Sequence, residues 1–287
     1  MQDTSSNHFF PLSGRDIHHV PRAEILQATE TAPTIYQQEG VTIVRVHQST
    51  VLKYGCGVHL SEARNMRFVQ NQANIRIPTV IDAWELEIPE PGENRRMGYI
   101  LMEYINGETL SNIWSTLDAS KRTIVYAQIY QFLQQLHSIK MTFPGSLDGD
   151  ISRGPLFTDY GAGPFKSPQD MESWFNERLL VCQEFGRLPS TQPSFSGLFD
   201  ELVMCHMDIH PRNLILDVDD RLYLLDWAYA GGYPVFFETA NLMRTGDPDF
   251  SHKLLDMIGD EHVEKAKRLV AVGFALTTGA LTKPTKS

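Results

Sequence analysis

The sequence predicts an α+β chain in two lobes, a small β-rich lobe followed by a larger, mostly helical one. Three observations predict it. Short β-rich runs at residues 41–46, 50–54 and 98–105 crowd the first third of the chain, with one central helical stretch among them. Beyond "NGETL" the apolar residues fall at helical spacing over long segments. One apolar hairpin, "NLILDVDDRLYLL", interrupts those helices, and clustered His, Asp and Asn flank it. The boundary falls near residues 105–107, which gives lobes of residues 1–105 and 106–287.

Taken in order, "PRAEILQAT" reads as a short helix ahead of the first strands. "VTIVRVHQSTVLKYG" splits into two β runs about His47 to Ser49, a hairpin signal. "LSEARNMRFVQNQ" is helical, because Ala63, Met66 and Val69 recur at helical spacing and Ser61 is placed to cap. "GYILMEYI" is an apolar strand, and the Pro- and Gly-rich stretch from Pro89 to Gly92 ahead of it signals a turn. After the boundary, "SKRTIVYAQIYQFLQQLHSIK" carries Ile124, Ala127, Phe132 and Leu136 and reads as a long buried helix. Residues 141–165, rich in Gly, Pro and Asp, form a long loop. "SPQDMESWFNERLLVCQEFG" resumes helix behind a Ser167 cap. The apolar hairpin turns at Asp219 and Asp220, and helical pattern returns from about Phe250 to Leu276.

Composition bounds the function classes. Hydrophobic content of 42% and charged content of 21% describe an ordinary globular protein. A net charge of −10 argues against nucleic acid as a partner, since phosphate contact needs clustered Lys and Arg. Cys56, Cys182 and Cys205 are far apart and form no CxxC pair, so neither a zinc ribbon nor a disulfide framework is expected. The opening "MQDTSSNHFFPLSG" lacks the pattern of a secretory signal, and no apolar run reaches the ~18–20 residues of a membrane span. The expectation is a soluble, cytoplasmic protein with no membrane partner.

The chemistry concentrates in "CHMDIHPRNLILDVDDRLYLLDWAYAGGYP". Polar groups beside a buried core are costly unless paired or used. A hairpin centred on Asp219 and Asp220 brings Asn213 and Asp226 side by side at its open end. A carboxylate and an amide oxygen there make a hard-oxygen site suited to Mg²⁺. Asp208, five residues before Asn213, is placed to accept a proton from a hydroxyl beside the metal. This is the spacing of the kinase catalytic loop and its metal-binding Asp. Taken singly, each of these residues also fits a turn or cap. A two-His-one-carboxylate iron site built on His206, Asp208 and a distant His252 needs an all-β fold, which the helices oppose. Zinc on His206 and His210 at helical spacing is opposed by Pro211.

A kinase-like site also asks for a lysine on an early strand and a glutamate on the next helix. Lys53 ends "STVLKYG" and Glu62 opens "SEARNMRFV"; the ammonium can bind phosphate oxygens while the carboxylate fixes it. "LMEYINGETL" then links the lobes, with backbone groups of Glu103 and Ile105 placed to bond an adenine ring. The phosphate-covering glycines of protein kinases are missing, since "TIYQQEGVTIVRV" offers Gly40 alone.

Together these residues resemble the aminoglycoside phosphotransferase family, in particular its fungal branch. The family motif resembling His-Gly-Asp-Leu-His-Pro-Gly-Asn reads here "HMDIHPRN", and the Ile-Asp-Trp-Glu and Ala-Gly that follow read "LDWAYAGGYP". "VLKYG", "EARNMRFV", "EYINGETL", "LHSIK" and "GAGPFKSPQDMESWF" are similar to the same branch, so the likeness spans roughly residues 35 to 245. The resemblance implies a protein-kinase-like two-lobed fold and transfer of the ATP γ-phosphate to a hydroxyl of a small molecule. It implies Asp208 as catalytic base, Asn213 and Asp226 as magnesium ligands, Lys53 with Glu62 on the phosphates, and His206 as a brace of the catalytic loop.

Two departures stand out. Met207 and Arg212 occupy positions where the family has glycine, and a glycine needed there for positive φ or close phosphate approach would be missed. Arg212 either contacts a phosphate or points to solvent. Ala228 replaces a frequent Glu. Three functions follow: an ATP- and Mg²⁺-dependent O-phosphotransferase, a kinase-fold enzyme using the Asp and His groups for acid–base chemistry without phosphorylation, and a nucleotide-binding module without turnover.

Overall fold

The computed structural model describes residues 10–38, 40–89, 94–244 and 248–285. The chain divides into two compact units, Met1–Arg67 with Pro78–Asn106, and Phe68–Ile77 with Gly107–Ser287.

The first unit holds α1 (Arg22–Ala28), β1 (Thr34–Gln38), β2 (Val41–His47), β3 (Thr50–Gly55), the start of α2 (Leu60–Gln72), β4 (Val80–Ile88) and β5 (Arg95–Glu103). Its five strands form an antiparallel sheet in the order β1-β2-β3-β5-β4. Strand alternation turns Val44, Val46 and Leu52 inward against Ile25 and Ala28 of α1, and Trp84, Tyr99 and Leu101 of β4 and β5 join the same cluster. The Trp84 and Tyr99 rings stack at 5.2 Å. Gly55 is required: it sits at φ +149°, and a Cβ there would collide with the Gly40 carbonyl.

The expected hairpin at β2 and β3 is present. Strands β1 and β4 were not foreseen. Ser61 does not cap α2, because the helix already begins at Leu60 and places the serine inside its first turn. Most of the expected turn after Pro89 lies outside the described residues.

The second unit holds β6 (Gly107–Thr109), α3 (Leu110–Ile113), α4 (Ala119–Ser138), β7 (Lys140–Met141), α5 (Pro168–Glu184), β8 (Leu202–Cys205), β9 (Leu214–Asp217), β10 (Leu222–Leu224), β11 (Gly231–Tyr233), α6 (Phe236–Arg244), α7 (Pro248–Ile258), α8 (Val263–Ala271) and α9 (Gly273–Leu276). Two three-stranded sheets, β10-β9-β6 and β11-β8-β7, sit among these helices. Helix α5 starts where expected, the Ser167 hydroxyl accepting the Asp170 N–H at 3.1 Å. Asp118 does the same for α4 through the Lys121 N–H. The buried stripe of α4 is Val125, Ile129, Phe132, Leu133 and Leu136. Ile124 and Ala127, read as core, face outward.

An apolar cluster including Phe175, Phe195, Phe199, Tyr233, Phe236 and Phe237 packs α5, α6 and β8 together. Antiparallel bridges pin the 141–165 loop, joining Ser152 to Ala162 and Gly145 to Gly232. Residues 68–77 belong here because Arg76 reaches the Leu222 carbonyl (3.0 Å) and Gln128 (2.6 Å), while its own carbonyl accepts the Leu224 N–H at 2.9 Å. Among the described residues no helix is long and apolar enough to cross a membrane.

Candidate active site

The site of the second unit grows from the end of β8. His206, Met207 and Asp208 leave the strand through a left-handed residue, Met207 at φ +69°. The motif thus needs the very conformation for which glycine is favoured, and a methionine adopts it. Its side chain is fully buried in the apolar cluster. The turn is held by Glu238 of α6, whose carboxylate accepts the His206 N–H at 2.6 Å and the Met207 N–H at 3.1 Å. Burial pushes the Glu238 carboxyl up to about 7, against the pull of these two N–H groups. Sequence reading missed Glu238. Its signal is an acidic residue inside an otherwise apolar stretch, "FFETANLM".

The His206 ring is buried, with both nitrogens committed. Nε2 donates to the Leu225 carbonyl at 3.0 Å, and Nδ1 accepts the Asp208 N–H at 3.2 Å. The ring meets Trp227 edge-on at 4.7 Å. Burial lowers its pKa to about 4, outweighing the opposing pull of Asp208 and Asp226, so the imidazole is neutral. This arrangement orients the Asp208 backbone and leaves neither ring nitrogen open.

Asp208 carries the densest set of contacts. Nη2 of Arg212 touches both carboxylate oxygens, at 2.6 and 2.7 Å. The Asn213 amide nitrogen donates to Oδ2 at 2.8 Å and to the Asp208 carbonyl at 3.0 Å. The half-exposed Arg212 side chain thus rests on Asp208 through Nη2 instead of standing clear in solvent. A 3₁₀ turn at Pro211–Asn213, capped by the His210 ring on the Arg212 N–H, carries its side chain back over Asp208.

The hairpin register differs by one residue from the expected one. Leu222 pairs with Leu216 and Leu224 with Leu214, and the Leu225 N–H reaches the Asn213 carbonyl at 2.8 Å. Asp217 N–H bonds to the Arg221 carbonyl, leaving a three-residue loop with Asp220 left-handed at φ +57°. Asn213 thus lies opposite Leu225, and Asp226 is one step beyond, leaving the strand at φ +60°. Since its nitrogen is spent twice on Asp208, Asn213 has its amide oxygen left for a cation. With the Asp226 carboxylate this is a hard-oxygen donor pair, and it fits Mg²⁺ by donor chemistry.

In the first unit Lys53 and Glu62 meet as read from the sequence. The ammonium lies 2.8 and 2.7 Å from the two glutamate oxygens, with both residues buried. Lys53 is fixed by its place in β3, opposite Ile43 and Ile100, and Glu62 by the first turn of α2. At the end of β5 the Glu103 N–H is taken by the Thr79 carbonyl at 2.9 Å, and its carboxylate accepts the Thr79 N–H. That N–H is therefore closed to a base. The Ile105 N–H has no protein partner among the described residues.

The chain belongs to the phosphotransferase enzyme family, whose model matches residues 58–267. Its fold is the kinase-like fold of solved aminoglycoside phosphotransferases. Against APH(4)-Ia the TM-score is 0.55 at 15% identity, covering 89% of this chain and 88% of that one. Against the streptomycin–ATP–APH(2'')-IIa ternary complex it is 0.54 at 16% identity, covering 88% and 86%. Against ADP-bound APH(2'')-Ib it is 0.53 at 17% identity, covering 86% and 84%. No curated protein matches in sequence.

Proposed function

We propose that this protein is a small-molecule O-phosphotransferase that uses ATP and magnesium. The observation that carries the reading is the Asn213 amide, whose nitrogen is bound to Asp208 so that its oxygen is left for a cation. One short loop thereby ties a proton acceptor to a metal ligand. The acceptor oxygen forms the new O–P bond to the γ-phosphorus. The bond from that phosphorus to the bridging oxygen breaks, its electron pair leaves on ADP, and the hydroxyl proton passes to Asp208. Mg²⁺ held by Asn213 and Asp226 would offset phosphate charge. Lys53, steadied by Glu62, binds phosphate oxygens, and the Ile105 N–H is the hinge group left for adenine. His206 and Glu238 position the loop. The streptomycin–ATP complex of a similarly folded enzyme supports a small-molecule acceptor and a nucleotide donor.

The reading without phosphorylation rested on Met207 and Arg212 obstructing nucleotide. Met207 is packed in the core, which removes half of that support. Calorimetry of ATP binding with and without Mg²⁺, on the wild type and on Asp226→Ala, tests the proposal. Binding that needs both magnesium and Asp226 is expected, and Asp208→Asn should abolish transfer while keeping ATP affinity. Equal affinity of Asp226→Ala and wild type, with and without Mg²⁺, overturns it.

A further inference from the structure

The guanidinium on Asp208 is a group that the phosphotransfer reading, on which this inference rests, leaves without a task. Arg212 uses only Nη2 on the carboxylate. Its side chain is 51% exposed, and the three donors on Nε and Nη1 have no protein partner among the described residues. A planar fork with one edge on a carboxylate and another in solvent is suited to a second anion.

The position of that anion follows from the lone pairs of Asp208. Oδ2 already takes two N–H groups and Oδ1 takes one, so a hydroxyl docks on Oδ1. In a reactive geometry the phosphorus lies roughly 3–3.5 Å from that hydroxyl oxygen. Its non-bridging oxygens then fall beside the guanidinium already resting on Oδ1. The pairing also has a charge consequence: an isolated Asp208 would repel an incoming phosphoryl group, and the paired one is neutral. A single glycine at Gly40 adds to the need for donors from elsewhere in the chain.

We propose that Arg212 is a further phosphate-contacting residue, bridging Asp208 to the γ-phosphoryl group during transfer. A residue of merely structural value would affect all nucleotides alike, whereas this one distinguishes those with a γ-phosphate from those without. The test is calorimetric titration of wild type, Arg212→Met, Arg212→Lys and Asp208→Asn with Mg·ATP and with Mg·ADP.

Arg212→Met is expected to weaken Mg·ATP about ten-fold while Mg·ADP stays within about two-fold, the loss of one charge-assisted contact. Arg212→Lys should recover part of the loss, and Asp208→Asn, which keeps the guanidinium, should keep the preference for ATP. Equal weakening of both nucleotides, or no change in either, overturns the proposal while leaving the phosphotransfer reading intact. Failure of the wild type to bind either nucleotide overturns both. Should Arg212→Met fail to fold, Arg212→Lys carries the test, and an unchanged ATP-to-ADP ratio in it overturns the bridge.

Discussion

Replacing Met207 sets two effects against each other, and their magnitudes decide the outcome. The residue is fully buried yet left-handed, so it contributes packing and costs strain at once. Met207→Ala keeps the strain and loses the packing; a buried methionine cut to alanine costs about 2–5 kcal/mol, and 3 is a fair central value. Met207→Gly loses the same packing but removes the left-handed clash of about 1–2 kcal/mol. Part of that gain is offset by the greater freedom of an unfolded glycine, about 0.4–1 kcal/mol. Glycine, the residue common in the family, should therefore destabilise this protein by about 2 kcal/mol, roughly 1 less than alanine does. For a unit of this size Tm moves roughly 2–4 °C per kcal/mol, so the glycine variant should melt about 4–8 °C below wild type and the alanine variant lower still. Thermal melts followed by circular dichroism read this directly. Alanine more stable than glycine would refute the left-handed conformation; glycine at or above wild type would refute the packing.

Further expectations concern ionisable groups. Lys53→Met removes the cation beside the buried Glu62 carboxylate and should cost about 3–5 kcal/mol in urea denaturation, with Lys53→Met/Glu62→Leu regaining most of it; a single variant within about 1 kcal/mol of wild type would contradict the buried pair. His206 has a folded pKa of about 4 against an ordinary 6.5, so between those values the unfolded chain binds more protons. Its contribution to stability is complete above 6.5 and is lost as pH falls towards 4. His206→Gln should accordingly show a shallower drop in Tm from pH 6.5 to 4 than wild type, and parallel curves would argue against a neutral buried ring. Glu238 has the opposite sign: its carboxyl, raised from 4.5 to about 7, is proton-bound in the fold over that range, so its term weakens stability as pH climbs. Glu238→Gln should flatten that slope, and an unchanged slope between pH 5 and 7 would count against it.

What the sequence made legible was what local periodicity and short spacings encode. The hairpin at β2 and β3, the Ser167 cap, and the pairing of Lys53 with Glu62 all follow from neighbouring residues. The errors arise where a choice of one residue decides the outcome. A two-residue turn was assumed at Asp219 and Asp220, and a left-handed Asp220 makes it three, which moves Asp226 past Asn213. In α4, Ile124 and Ala127 mark a helical stripe as well as Val125 and Ile129 do, and only packing selects between them. Strand β4 escaped because it is an edge strand whose outer half is exposed, so Asp82, Glu85 and Glu87 break its apolar run. Glu238 acts on a loop some thirty residues upstream, and nothing in local pattern connects the two. The contact of Arg212 with Asp208 escaped because it depends on a 3₁₀ turn rather than on helical or strand spacing.

The placing of residues 68–77 bears on how the protein can be divided. A gene cut after residue 106 would yield a downstream half lacking Arg76, and so lacking the partners of the Leu222 carbonyl and the Leu224 N–H in the hairpin that presents Asp226. Supplying residues 68–77 in trans, or fusing them ahead of residue 107, would be the way to recover the second unit alone. Its folding module is written in two separate passages of the gene.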